Sequence, residues 1–173
     1  MAMFTINCRG KIIVTEPALV MGIINATPDS FYEGHASFSE KDLLALAQKM
    51  VEDGATIIDI GGQSTRSGSE RVQAAEEIQR LIPVIQLIRS HFPGIIISAD
   101  TYHSKVAVSA VEAGADMIND ISAGEMDKAM ISTVAQLGVP YICMHMKGTP
   151  ADMQLHPVYD DVVKEVLDFF TWK

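Results

Sequence analysis

Residues 52–60 read EDGATIIDI, and residues 112–121 read EAGADMINDI. In each stretch, the end of a helical pattern is followed by a glycine and then by a short apolar run. Glycine readily adopts the left-handed conformation that ends a helix, and the apolar residues after it are typical of a buried strand. Gly138 precedes a third run of the same kind. These junctions indicate a fold made of repeated strand and helix units, although any βα architecture needs such a junction.

The apolar runs of the chain are continuous rather than alternating, which favours buried parallel strands. They cover residues 19–24, 56–60, 95–99, 115–118 and 140–144. Amphipathic helical patterns follow them, and Ser39 with Asp42 predicts a capping box at the start of the first helix. Pro83 lies inside the second helical pattern and is expected to kink or split that helix. The predicted order is five consecutive βα units.

The composition favours a small-molecule partner. The chain has 173 residues, of which 48% are hydrophobic, and a formal net charge of −9. A nucleic-acid interface needs clustered Lys and Arg, which the sequence does not show. Only Cys8 and Cys143 are present, without the spacing of a zinc site or a disulfide framework, and no run is long and apolar enough to span a bilayer or to act as a signal peptide. We therefore expect a cytoplasmic protein without a membrane or nucleic-acid partner.

Polar residues gather near the carboxyl ends of the predicted strands. They are Asn25, residues 61–68, Asp100, Asn119, Asp120, His145 and Lys147. The carboxyl ends of parallel strands meet at one edge of the sheet, where ligands bind in α/β folds. We therefore expect these residues to converge on one site.

Each polar segment has a functional and a structural interpretation. Residues 25–31 could hold a metal-bound anion or form an ordinary turn. Residues 61–68 suit a phosphate or carboxylate, but could be a solvated loop. Asp100 and Asn119 could hydrogen-bond a nitrogen-rich heterocycle or cap the helices that follow them. Met144 could pack in the core or line a pocket wall.

Two segments resemble known signatures. Residues 21–31, MGIINATPDSF, resemble the first signature of dihydropteroate synthases, and residues 61–68, GGQSTRSG, resemble the second. Further along, residues 98–101, 118–121 and 144–150 resemble the third, fourth and fifth strand ends of that family. Five matches in the same order cover essentially the whole chain.

The resemblance implies an α/β fold, a TIM (βα)₈ barrel of the dihydropteroate synthase type with about five βα units in this chain. It also implies the condensation of 6-hydroxymethyl-7,8-dihydropterin diphosphate with p-aminobenzoate to 7,8-dihydropteroate and diphosphate, assisted by Mg²⁺. Residues 1–173 would form one pterin-binding domain, truncated on its C-terminal side. Independently of the resemblance, the loose alternation of residues 4–15 predicts a hairpin within residues 1–17. The complete family protein would be a homodimer.

By the same resemblance, the first two loops would hold the diphosphate and the benzoate. Asn25 would contact the metal, and Asp29 would order the loop around the diphosphate. Thr65 and Arg66 would lie where diphosphate and p-aminobenzoate meet, and Phe31 would pack on the benzoate ring. Arg66 and Asp29 are thus expected to act in catalysis.

The later strand ends would hold the pterin. Asp100 and Asn119 would hydrogen-bond its edge, and Met144 would line its pocket. Loss of diphosphate leaves a cation delocalised over the dihydropterin, so the Asp100 carboxylate would stabilise charge that appears mainly in the transition state. Asp100 is therefore the third expected catalytic residue.

The sequence departs from the family pattern in two ways. Ser67 stands where the family usually has Pro, and Gln63 where many members have Glu, so the second loop is expected to be more mobile than usual. A complete barrel takes about 250 residues, whereas this chain supplies five βα units. If 173 residues are the whole molecule, we expect exposed sheet edges, poor solubility and little activity.

Strand count alone would favour a flavodoxin-like doubly wound sheet, but the motifs overrule that preference. Two alternatives stay open at this point. A pterin-dependent methyltransferase domain would also bind a pterin at a barrel mouth, but would lack the Ser-Thr-Arg and Thr-Pro-Asp-Ser-Phe runs. A non-catalytic pterin-binding fragment or paralogue would keep the motifs and lack the reaction.

Overall fold

The computed structural model describes residues 4–16, 18–26, 39–63, 71–150, 152–155 and 157–173. Strands β1 (Thr5–Cys8) and β2 (Lys11–Val14) form an antiparallel hairpin. Five further strands follow, and a helix comes after each of them. Residues 27–38, between the first of these strands and its helix, lie outside the described residues. The strands are β3 (Met21–Asn25), β4 (Ile57–Gly61), β5 (Ile96–Asp100), β6 (Met117–Asp120) and β7 (Tyr141–Cys143). The helices are α1 (Glu40–Glu52), α2 (Ala74–His91), α3 (Ser104–Ala113), α4 (Met130–Leu137) and α5 (Val162–Trp172).

The five strands form one parallel sheet in the order β3-β4-β5-β6-β7. A flavodoxin-like sheet places a later strand between earlier ones, whereas a βα barrel adds each strand beside the last. The flavodoxin-like alternative is therefore wrong, and the α/β barrel prediction is confirmed. Within the described residues the sheet does not close, since β3 and β7 each pair with a single neighbour.

The side chains of each strand separate into two layers. Those facing the helices form the main core, and several are fully buried: Ile58, Ile60, Ile97, Ala99 and Ile118. Those facing inward near the amino ends pack against the hairpin, and this second cluster includes Cys8, Ile57, Ile96 and Met117. Because the hairpin covers the amino end of the sheet, the polar residues at the carboxyl end face the uncovered side.

Helix α2 shows where sequence patterns and structure differ. It runs unbroken from Ala74 to His91 through Pro83, so the proline does not split it. Its buried face includes Glu77, a charged residue of the first turn. The predicted capping box of α1 is confirmed, since Ser39 and Asp42 bond each other's backbone N–H groups.

No helix in the described part of the chain is long and apolar enough to cross a membrane.

Candidate functional site

The carboxyl ends of the strands line up in one row. Asn25 of β3 pairs in register with Gly61 of β4, Gly61 with Asp100 of β5, and Asp100 with Asn119 of β6. Residues in one register row point to the same face of a sheet. Asn25, Asp100 and Asn119 therefore share the inner face, as the sequence predicted for one convergent site.

The three polar residues are part of the strands. We expected them just after the strands, but Asn25 and Asp100 are the last residues of β3 and β5, and Asn119 lies inside β6. The ladder continues beyond them, because the backbone N–H of Thr101 donates to the Asn119 carbonyl at 2.9 Å. The sheet itself, rather than a loop, therefore fixes their positions.

Asp100 and Asn119 do not cap the helices that follow. Helix α3 has His103 at its N-cap, without a side-chain cap bond, and Asp127 Oδ2 accepts the Ser104 N–H at 2.7 Å. Helix α4 begins after Ala129. The capping interpretation is wrong for both residues, which leaves their side chains available to a ligand.

Asp59 is a site residue that the sequence reasoning missed. It lies two residues before Gly61 on the inner face of β4 and is 3% exposed. Asn119 Nδ2 donates to Asp59 Oδ2 at 3.1 Å, whereas Asp59 Oδ1 and the buried Ser98 hydroxyl have no hydrogen-bond partner among the described residues. Buried polar atoms without partners are costly and mark places where a ligand can supply them. The signal in the sequence was a carboxylate interrupting the apolar run Ile57 to Ile60.

The site holds an unusual concentration of acid groups. Burial raises the pKa of Asp100 from 3.8 to about 7, and the negative groups of Asp59, Glu77 and Asp120 add to that rise. Burial also raises the pKa of Asp59, an effect that the hydrogen bond from Asn119 partly offsets. Such a site favours ligands that present N–H donors or positive charge.

Gly61 leaves space between Asn25 and Asp100. A Cβ at this position would lie 3.5 Å from Asp100 Oδ2 and 3.8 Å from Asn25 Oδ1. The side chains of Asn25 and Asp100 thus lie on either side of Gly61, which has no side chain of its own. No group of three His, Cys, Asp or Glu side chains suited to a metal occurs among the described residues.

The remaining predicted residues divide into two groups. Met144 follows β7, and its N–H donates to the Asp120 carbonyl at 3.2 Å, which places it beside the row. His145 packs instead against Phe169 of α5, with ring centroids 4.8 Å apart. Four predicted site residues lie outside the described residues: Asp29, Phe31, Thr65 and Arg66.

This fold and this row define an α/β barrel protein with a candidate ligand site at the carboxyl ends of its strands. Residues 21–173 match the pattern of the family described as pterin binding enzyme. The chain belongs to the pterin-binding enzyme family.

Named relatives agree with that assignment. The chain is 50% identical over 150 residues to the folic acid synthesis protein fol1 of Schizosaccharomyces pombe, covering 86% of this chain and 20% of that protein. It is 41% identical over 162 residues to the dihydropteroate synthase of Streptococcus pyogenes, covering 94% of this chain and 58% of that protein. The chain thus spans from a fifth to under three fifths of the length of these two relatives.

Two solved structures share the fold closely. The dihydropteroate synthase of Yersinia pestis, determined as a sulfonamide drug complex, has a TM-score of 0.87 at 38% identity, covering 97% of this chain and 60% of that one. The dihydropteroate synthase of Xanthomonas albilineans with 4-aminobenzoic acid has a TM-score of 0.82 at 39% identity, covering 98% of this chain and 59% of that one. The resemblance to dihydropteroate synthases is therefore confirmed.

Proposed function

We propose that this chain carries the pterin-binding part of a dihydropteroate synthase site, in which 6-hydroxymethyl-7,8-dihydropterin diphosphate condenses with p-aminobenzoate. The products are 7,8-dihydropteroate and diphosphate. The observation that carries the proposal is the inner-face row of Asn25, Asp100 and Asn119, with the partly unpaired Asp59 beneath it. The names of the relatives support the same reaction.

The chemistry of the row suits the edge of a pterin. A pterin presents N–H donors and ring acceptors along one edge, which match carboxylate oxygens and a carboxamide in a water-poor cleft. Asp100 and Asp59 supply acceptors, and Asn119 can supply either group. Because Asn119 already donates to Asp59 at 3.1 Å, its carbonyl oxygen is oriented by that bond. Met144 would cover one side of the ring.

Asp100 has the properties required of a group that stabilises a developing cation. It is held at the end of a buried strand, so it needs no reorganisation when the C–O bond to the diphosphate breaks. Positive charge spreading over the dihydropterin would favour the ionised form of Asp100, whose pKa of about 7 otherwise leaves it partly protonated near neutrality. The interaction would therefore be stronger in the transition state than in the ground state.

The same proposal assigns Mg²⁺ to the Asn25 end of the row. An amide oxygen is a ligand that Mg²⁺ accepts, and the space above Gly61 leaves room beside Asn25 Oδ1. Mg²⁺ usually keeps waters and substrate phosphates as its other ligands, so a single protein oxygen fits this donor set. When bound, the cation would offset the negative charge of the diphosphate. Asp29, Thr65, Arg66 and Phe31 keep the diphosphate and benzoate roles that the family resemblance implies.

Two further expectations accompany the proposal. Both cysteines, Cys8 and Cys143, are free thiols, which fits the cytoplasmic location predicted from the sequence. The homodimer predicted for the complete family protein can be tested by light scattering during gel filtration.

The experiment is a diphosphate-release assay on the purified chain with the pterin diphosphate and Mg²⁺. Release that requires p-aminobenzoate and is competed by a sulfonamide would support the synthase. Pterin binding without release would support a non-catalytic pterin-binding role. Absence of both binding and release would overturn the proposal.

A further inference from the structure

Glu77 is a fully buried acid that the site described above does not use. It lies in the first turn of α2 and is 0% exposed. Its Oε2 accepts a hydrogen bond from Gln63 Nε2 at 3.2 Å, while its Oε1 has no partner among the described residues. A carboxyl group in such a place costs stability that an apolar side chain of similar size would not.

The hydrogen bond from Gln63 is one link of a buried chain. Gln63 Oε1 accepts from the Tyr102 hydroxyl at 2.7 Å, and both side chains are 4% exposed. The series Glu77, Gln63 and Tyr102 thus joins helix α2, the segment after β4 and the segment after β5. These two buried hydrogen bonds connect the three side chains and favour one arrangement of them.

Helix α2 also contacts the backbone of Gly62, which lies between Gln63 and the row of site residues. A Cβ at Gly62 would lie 2.9 Å from Glu77 Cγ, so only glycine allows this approach. Arg80 Nη1, one turn further along α2, donates to the Gly62 carbonyl at 3.4 Å. The residue directly after Gly61 is thereby fixed from the helix side.

The segments after β4 and β5 that Glu77, Gln63 and Tyr102 connect lie next to the row of site residues. Gly61 pairs with Asp100, and Gln63 and Tyr102 each follow their strand end by two residues. We propose that Glu77 is a positioning residue for the pterin site, setting through Gln63 and Tyr102 the separation of the carboxyl ends of β4 and β5 and hence the place of Asp100. This inference rests on the proposed function and names a residue that acts from behind the sheet.

Other charged groups surround Glu77. His103 Nε2 lies 3.9 Å from Oε2, and Arg80 and Glu76 share its helix. The negative charge of Glu77 also contributes to the raised pKa of Asp100. Burial raises the pKa of Glu77 to about 7, an effect that the positive charge of Arg80 partly offsets. The carboxyl can accept the Gln63 bond in either protonation state, so the positioning contact does not require its charge.

The test is the affinity of the full chain for 6-hydroxymethyl-7,8-dihydropterin diphosphate, measured by calorimetry well below each variant's melting temperature. Glu77→Leu removes the acceptor and should weaken binding by about tenfold or more. Glu77→Gln keeps an acceptor for Gln63 and should stay within about threefold of the wild type. Tyr102→Phe removes the hydroxyl alone and should weaken binding in the same direction. Glu112→Gln, at an exposed position of α3, is the matched control and should change nothing.

The outcomes separate the two proposals. If the wild-type chain does not bind the pterin, the proposed function fails and this inference falls with it. If the wild type binds and folded Glu77→Leu binds equally well, Glu77 is purely structural and the inference alone is overturned. If Glu77→Leu does not fold, the other two variants decide. Wild-type affinity in Tyr102→Phe would overturn the inference. Weaker pterin binding in Tyr102→Phe, together with near-wild-type binding in Glu77→Gln, would support it.

Discussion

Asn119 Nδ2 donates a hydrogen bond to Asp59 Oδ2 at 3.1 Å, although the two residues are 60 positions apart in the chain. They lie on strands that are not neighbours, since β5 runs between β4 and β6. On the inner face, the bond crosses β5 on the amino-terminal side of Asp100. It connects the middle of β4 with the carboxyl end of β6. It is the contact that joins the predicted pterin-binding row to a carboxylate that the sequence did not single out.

Replacing Asp59 by Asn should move stability and binding in opposite directions. The buried carboxyl has one oxygen without a partner and a raised pKa, so its removal should leave the free energy of unfolding at pH 8 equal or higher. The amide keeps one acceptor for Asn119 but replaces the unpaired oxygen by an NH2 donor, so pterin binding should weaken by about tenfold, or roughly 1.4 kcal/mol. Urea unfolding and calorimetry measure the two effects. Asp53→Asn, at an exposed position, is the control, and a parallel fall in both quantities would contradict this role.

Replacing Asp100 by Asn should lower turnover by at least about tenfold, or roughly 1.4 kcal/mol. The amide keeps the size of the side chain but cannot stabilise positive charge as a carboxylate does. Single-turnover kinetics with saturating p-aminobenzoate isolate the chemical step. Equal single-turnover rates in the variant and the wild type would rule out the electrostatic role.

The affinity for the pterin should rise with pH. The pKa of Asp100 is about 7 in the unliganded protein, and its ionised form is the better acceptor for pterin N–H groups. Binding should therefore strengthen between pH 6 and pH 8 and level off above that range. Calorimetry at several pH values gives the profile, and Asp100→Asn should flatten it. A profile of the same slope in the variant would assign the titration to another group.

The stability of the protein should fall as pH rises through the window between about 4.5 and 7. Glu77 has a folded-state pKa of about 7 against an ordinary value of 4.5, so the folded state binds more protons than the unfolded state within this window. Its contribution is fully present below about 4.5 and is lost by roughly pH 7 and above, a change on the order of 3 kcal/mol. Urea unfolding at pH 5 and pH 8 measures it. Glu77→Gln should reduce the difference, and an unchanged difference would show that other groups cause it.

Gln63→Glu should destabilise the protein, and more so at high pH. Gln63 Nε2 lies 3.2 Å from Glu77 Oε2, so a glutamate there would bring two buried carboxyl groups together with no donor between them unless one is protonated. The double variant Gln63→Glu with Glu77→Gln restores one amide and one carboxyl and should recover most of the loss. Thermal unfolding at pH 6 and pH 8 tests both, and additive losses in the double variant would refute the coupling.

Much of the site was predictable because its residues interrupt regular patterns. Asn25, Asp100 and Asn119 are polar residues at the ends of apolar runs, and the topology of parallel strands brings such ends to one edge. Asp59 escaped because it sits inside a run that otherwise reads as core. Glu77 escaped because glutamate on a helix is almost always exposed, and only the approach of Gly62 and Gln63 makes its buried position possible.

The sequence by itself determined the order of strands and helices, because local apolar periodicity and glycine junctions are properties of neighbouring residues. The tertiary structure decided the register that aligns Asn25, Gly61, Asp100 and Asn119 in one row. It also decided that Glu77 on α2 is buried against Gly62. Both depend on pairing and packing between segments far apart in the chain, where the competition between burial, hydrogen bonding and charge is settled by the whole fold rather than by any local pattern.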